Sequence, residues 1–148
     1  MIKVQQESFD VGAELAALAA GRTDIGAVAS FVGLVRAHAG EPITAMTLEH
    51  YPGMTEKKLA EIEAEAHVRW PLQASLIVHR YGRMLPGEPI VLVATASAHR
   101  AAALESCAFL IDWLKTEAPF WKLEETADAS RWVEARSADD EAAARWRR

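Results

Sequence analysis

A small set of basic residues carries most of the chemistry legible in this sequence: Arg36, the adjacent His99 and Arg100, and the lysines Lys115 and Lys122. Ser97-Ala98-His99-Arg100 opens a stretch with helical periodicity, so two cationic side chains fall in a first turn. The positive end of a helix dipole disfavours each of them by about 0.3 to 1 kcal/mol. An anionic ligand there reverses the sign, because the free N–H groups of the turn also point at it. Side chains that bend away to solvent or to a carboxylate are the plainer alternative. Arg36 ends an apolar run and is followed by His38. Its planar fork suits phosphate or carboxylate, and a surface ion pair is the plainer alternative.

Lys115 closes the long helical stretch and Lys122 follows on the next expected strand. The helix C-terminus favours Lys115 as a cation, a stabilising role rather than a nucleophilic one. For a tenth of it to be neutral near pH 7.4, deprotonation must be eased by about 2.7 kcal/mol. A second cation at about 5 Å, with an effective dielectric near 20, supplies roughly 3 kcal/mol of that. Lys122 can be that cation, whereas a bound phosphate pulls the other way, so amine nucleophile and fixed charge both stay open. Arg100 and Lys115 lie fifteen residues apart, which on a helix separates their backbones by about 22 Å. One small ligand cannot touch both within one chain. If both serve one type of site, the simplest arrangement is a dimer whose pockets each take a helix start from one protomer and a helix end from the other.

Other chemistries find less support. The five histidines, at 38, 50, 67, 79 and 99, show no HExxH or close pairing, so no metal site is expected. Cys107 is the only cysteine, which excludes an intrachain disulfide, a CxxC pair and a multi-cysteine cluster. It lies on the apolar face of its helix and reads as a core residue. Ser30 lacks a GxSxG elbow, and there is no Walker A loop or GxGxxG. Trp113, Phe120 and Trp121 could stack on a flat heterocycle, although an aromatic cluster at a helix-strand corner is usually core. Sixteen Lys and Arg against twenty-one Asp and Glu leave a formal charge of −5, which argues against general nucleic-acid binding. The start, MIKVQQESFD, does not read as a signal peptide, and eighteen consecutive apolar residues occur nowhere. A cytoplasmic protein without membrane contact is expected.

The elements that must position these groups fit one domain in 148 residues. A first strand, Ile2 to Phe9, leads to Asp10 as N-cap of a helix Val11 to Ala20 closed by Gly21. Strands follow at Gly26 to Arg36, with Gly33 marking a bulge or close approach, and at Ile43 to His50 after a loop His38 to Pro42. Thr55 is the expected cap of a helix through Arg69, stopped by Trp70-Pro71. Ala74 to Arg80 and Pro89 to Ser97 read as strands around the turn Leu85-Pro86-Gly87-Glu88. Ser97 is the expected cap of the helix His99 to Glu117. Phe120 to Thr126 and Arg131 to Ala135 form a last strand pair. Residues 1–136 make a single domain in this reading, and residues 137–148 a frayed helix or mobile tail. Strands interspersed with three helices indicate an α+β fold.

Six blocks in order, FVGLVR (31–36), LEHYPGM (48–54), HRYG (79–82), SAHR (97–100), DWLKTEAPFWK (112–122) and RWVEAR (131–136), resemble the catalytic, large subunits of molybdopterin synthase. The likeness runs from about Phe9 to Trp146. It implies an α/β hammerhead fold with an additional antiparallel β subdomain, in a central homodimer carrying a small ubiquitin-like sulfur-carrier subunit at each end. The carrier's C-terminal thiocarboxylate would enter the pocket and transfer sulfur to cyclic pyranopterin monophosphate, building the dithiolene of molybdopterin in two rounds. Neither cofactor nor metal is implied. The resemblance puts Arg36, Lys115 and Lys122 in the pocket, with Lys115 and Lys122 catalytic and His99 and Arg100 supplied by the neighbouring chain. It also marks Leu34, Val35, Leu123 and Glu124 as substrate-contacting positions. The competing expectations are a non-catalytic module that binds a ubiquitin-like tail and a phosphate-ligand sensor.

Overall fold

The computed structural model describes residues 1–37, 42–133 and 137–147. Of the expected features, His38 with its loop through Glu41, the strand end at 134–136 and Arg148 lie outside the described residues. In chain order the elements are β1 (Ile2–Gln5), α1 (Val11–Ala19), β2 (Ala27–Leu34), β3 (Ala45–His50), α2 (Met54–Arg69), β4 (Leu72–Arg80), β5 (Gly82–Met84), β6 (Pro89–Ser97), α3 (Arg100–Glu117), β7 (Phe120–Glu125), β8 (Ser130–Val133) and α4 (Ser137–Ala144). They form an α+β fold with two four-stranded sheets, ordered β1-β4-β6-β2 and β5-β3-β7-β8. Among the described residues only β1 and β4 pair in parallel, and every other ladder is antiparallel.

The two central strands of the first sheet, β4 and β6, are apolar on both faces because both faces are covered. Ile77, Val91 and Val93 turn toward Leu59 and Ile62 of α2 and Phe109, Leu110 and Leu114 of α3. Leu76, Val78, Leu92 and Ala94 meet Val11, Leu15 and Leu18 of α1 on the other side. The period of two along each strand thus feeds two separate cores. A third cluster, Val35, Ile43, Met46, Leu48 and Met84, joins the second sheet to the end of β2. The chain passes from one sheet to the other between β4 and β5, where Gly82 takes φ 93°, a conformation that side chains disfavour. The three-residue β5 is absent from the sequence expectation.

Two expected helix caps are corrected. Ser97 remains in β6, and its Oγ donates to Pro71 O at 2.9 Å. The N-cap of α3 is His99, whose side chain makes no cap bond. Thr55 lies inside the first turn of α2 and is fully buried. Its Oγ1 accepts from Tyr51 N–H at 3.0 Å and donates to Pro119 O at 3.2 Å. Gly53 occupies the cap instead, and its N–H donates to Glu56 Oε2 at 2.8 Å. Asp10 does cap α1, accepting from Ala13 N–H at 2.9 Å.

The stretch expected as a frayed helix or mobile tail forms α4 and is docked along α3. Ala143 is fully buried, and Trp113 Nε1 donates to its carbonyl at 3.3 Å. Trp146 sets its edge against Trp70 and Phe109, and its Nε1 donates to Asp112 Oδ2 at 2.7 Å.

Candidate functional site

Lys115 stands in the last turn of α3, and two residues, Ala118 and Pro119, carry the chain from there into β7. Alternation along β7 sends Phe120, Lys122 and Glu124 to one face and Trp121, Leu123 and Glu125 to the other. The register opposes Lys122 to Leu48 and Glu124 to Met46, both core residues of β3. Lys122 and Glu124 therefore face the interior, while Trp121 is exposed on the outside. A cavity of about 130 Å³ separates the end of α3 from this inner face. Lys115 and Lys122 both line it, among Leu114, Phe120, Val133, His79 and, from α4, Asp139. Two lysines seven residues apart in sequence thus converge through a helix end, a tight link and a strand.

His79 forms part of the same wall. Its ring is 5% exposed and stacks on Phe120, with centroids 3.8 Å apart and planes 16° from parallel. Burial, reinforced by the positive charges of Lys115 and Lys122, pushes the imidazole down to about 3, against the opposing pull of its hydrogen bond to Arg80. At neutral pH the ring is uncharged. Its Nδ1 lies 2.9 Å from Arg80 O, which assigns the proton to Nδ1 and leaves the lone pair on Nε2. Sequence reasoning gave His79 no role in the pocket. The available signal was an ionisable residue ending the buried run of β4.

The other expected residues are distributed as follows. Leu123 projects from the outer face of β7, so only the strand's backbone links it to the cavity side. Glu124 is 7% exposed on the inner face, with Arg131 Nη2 at 3.7 Å from its Oε1. Leu34 is exposed at the irregular end of β2. Val35 is buried with Leu48 and Met84; its N–H donates to Glu88 O at 2.9 Å and its carbonyl accepts from Gly87 N–H at 2.7 Å. Arg36 is exposed immediately beyond it. His99 and Arg100 are exposed at the start of α3, about 22 Å from Lys115 along its axis. The structure brings Lys115 and Lys122 together and leaves His99 and Arg100 at the far end.

A larger hollow of about 490 Å³ lies between α1, α2 and the β1/β4 edge. Its charges are already matched, Lys3 by Glu14 at 2.9 Å and the Met1 ammonium by Glu63 at 2.5 Å. It offers a ligand less than the lysine-lined cavity does. No group of three His, Cys, Asp or Glu among the described residues is placed to hold a metal. Cys107 is buried in the core and its thiol is pushed up to about 11, so it is protonated at neutral pH. Among the described residues no helix is long and apolar enough to cross a membrane.

A family model described as MoaE protein matches residues 4–117. The chain belongs to the MoaE family. It is 58% identical to the molybdopterin synthase catalytic subunit of Pseudomonas aeruginosa PAO1, over 98% of this chain and 97% of the relative. Among solved structures, the molybdopterin biosynthesis MoaE protein of Burkholderia ambifaria MC40-6 superposes with a TM-score of 0.85 at 57% identity, covering 99% of this chain and 97% of its own. A protein-protein complex of subunits 1 and 2 of molybdopterin-converting factor from Helicobacter pylori 26695 includes a chain with a TM-score of 0.77 at 24% identity, covering 92% of each. That likeness carries the fold alone. The MoaE family match takes in Arg36, His79, His99, Arg100 and Lys115, and the Pseudomonas alignment extends it across Lys122.

Proposed function

We propose that this MoaE-family chain is the catalytic subunit of a molybdopterin synthase in molybdenum cofactor biosynthesis, transferring sulfur from the C-terminal thiocarboxylate of a small ubiquitin-like carrier to cyclic pyranopterin monophosphate. The convergence of Lys115 and Lys122 on one narrow, largely apolar cavity carries this reading. Both reactants are anionic, and charges lining a small cavity with mostly apolar walls act more strongly than they would in bulk water. Each round forms one bond from the carrier's sulfur to a substrate carbon, and a carbon–oxygen bond at that carbon breaks as its oxygen substituent leaves. The carrier's acyl–sulfur bond breaks, and water supplies the oxygen that leaves a carboxylate in its place. In this scheme Lys115 stabilises charge or moves a proton beside the thiocarboxylate, with Lys122 as its electrostatic partner.

The size of the cavity favours a shared site. About 130 Å³ is room for roughly four waters at about 30 Å³ each. Pockets that enclose a whole drug-sized ligand usually have about 300 to 1,000 Å³. The space suits the last residue of an extended tail and the reacting edge of a substrate, so the phosphate and the remaining ring must be held by other groups. Arg36 of the same protomer and His99 and Arg100 of a second protomer are the proposed ones, with Leu34, Val35, Leu123 and Glu124 beside the substrate. The complete assembly is then a hammerhead-fold homodimer at the centre of a heterotetramer with two carriers, working in the cytoplasm. The Helicobacter complex of two subunits is consistent with such a partner.

The test is incubation of the purified protein with thiocarboxylated carrier and cyclic pyranopterin monophosphate, followed by detection of the dithiolene product. Absence of product from a folded protein and a verified thiocarboxylate overturns the assignment.

A further inference from the structure

Two complementary polar groups open on the lysine-lined cavity, and neither is matched among the described residues. His79 spends Nδ1 on Arg80 O, and among the described residues Nε2 has no hydrogen-bond partner. It is not sealed away: among the described residues the fully enclosed side-chain atoms without a hydrogen bond are Glu56 Oε1 and Gln73 Oε1, whereas His79 lines the cavity. The acceptor lone pair therefore points into that space. Lys122 lines the same cavity and, among the described residues, its ammonium makes no hydrogen bond or ion pair. The two side chains are braced together, because the ring of Phe120 carries the His79 stack and Lys122 follows Phe120 on the same face of β7.

We propose that His79 is a positioning residue of this site, whose Nε2 accepts a hydrogen bond from the Lys122 ammonium through one cavity water and so aims that cation at the reacting groups. The inference rests on the sulfur-transfer reading of the pocket. An uncharged acceptor suits the place, since a second positive charge beside Lys115 and Lys122 would repel both. The stack on Phe120 and the bond to Arg80 O fix the ring plane and the tautomer, so the lone pair has one direction. A lysine on a flexible stem otherwise samples many rotamers, and a fixed acceptor selects among them.

The direct test is the ¹⁵N NMR signal of the His79 ring nitrogens in the whole protein. The neutral Nδ1–H tautomer is expected, with an Nε2 resonance that moves toward that of a free acceptor in Lys122→Met. An Nε2 resonance identical in the two proteins overturns the proposal, and this readout does not depend on any sulfur transfer. In the assay with carrier and substrate, His79→Phe keeps the stack and removes the acceptor. It is expected to lower kcat about tenfold with KM nearly unchanged, the size of one charge-assisted hydrogen bond. His79→Gln, which returns an acceptor, is expected to recover part of that loss. Equal kcat in wild type and a folded His79→Phe overturns the proposal, while absence of turnover in the wild type overturns the functional reading and leaves the NMR comparison to decide the role of His79.

Discussion

The docking of the C-terminal helix makes a measurable claim about stability, and Trp146 is the residue on which to test it. Its ring lies edge-on to Trp70 at 5.7 Å and to Phe109 at 5.8 Å, and its Nε1 donates to Asp112 Oδ2 at 2.7 Å. Its carbonyl accepts from Arg69 Nη1 at 2.6 Å. Truncating a fully buried aromatic to Ala costs about 3 to 5 kcal/mol. Trp146 is only half-buried, so Trp146→Ala should cost about 2 to 3 kcal/mol, including the lost bond to Asp112. For 148 residues at about 2.1 cal/mol/K each, the unfolding entropy is about 0.31 kcal/mol/K, and Tm should fall by about 6 to 10 °C. Trp132 on β8 is 60% exposed and provides the control, with an expected Trp132→Ala loss below about 2 °C. Thermal unfolding followed by far-UV circular dichroism measures both. Equal small shifts for the two variants would refute the view that residues 137–147 belong to the core.

Three further outcomes follow from the same geometry. His79 is near 6.5 when unfolded and is held at about 3 when folded, so its contribution is complete above pH 6.5 and is lost as pH falls below that value. Stability should drop by about 1.4 kcal/mol per pH unit in this window, reaching about 2 kcal/mol by pH 5. Urea titrations of wild type and His79→Phe should diverge there, and parallel pH profiles would contradict the assignment. Lys115→Ala should abolish most sulfur transfer, by about a hundredfold or more, with carrier affinity largely kept; a variant that turns over normally removes Lys115 from the chemistry. Gly26→Ala should destabilise by about 1 to 3 kcal/mol, because an added Cβ would meet Ala98 O at 2.2 Å. Chemical denaturation measures that loss, and an unchanged midpoint would mean that the strand beside the α3 start can shift.

Periodicity made the central elements legible. β4, β6, α2 and α3 emerge from the sequence because each is long and its apolar spacing is enforced by cores on known faces. The caps were less accessible: a Ser before a helix looks like a cap whether or not its hydroxyl is already spent across the sheet, as the Ser97 hydroxyl is on Pro71. β5 is three residues long, too short to show a period. The docking of α4 depends on Trp146 meeting Trp70, a contact 76 positions apart that composition does not encode. Charge and spacing single out Lys115 and Lys122, but their convergence depends on the Ala118-Pro119 link. The opposite facing of Lys122 and Leu123 was readable from strand alternation alone. His79 escaped because a histidine ending an apolar strand looks like core, and it is both core and cavity wall.

The length of α3 has a genetic consequence. The helix carries Arg100 at one end and Lys115 at the other, about 22 Å apart. In the proposed dimer each helix serves two different pockets, so inactivating alleles fall into a helix-start class and a helix-end class. A mixed dimer built from one of each has one pocket with both defects and one with none. Such alleles would complement, with about a quarter of all pockets intact after random assortment, whereas two alleles of the same class would never rescue one another.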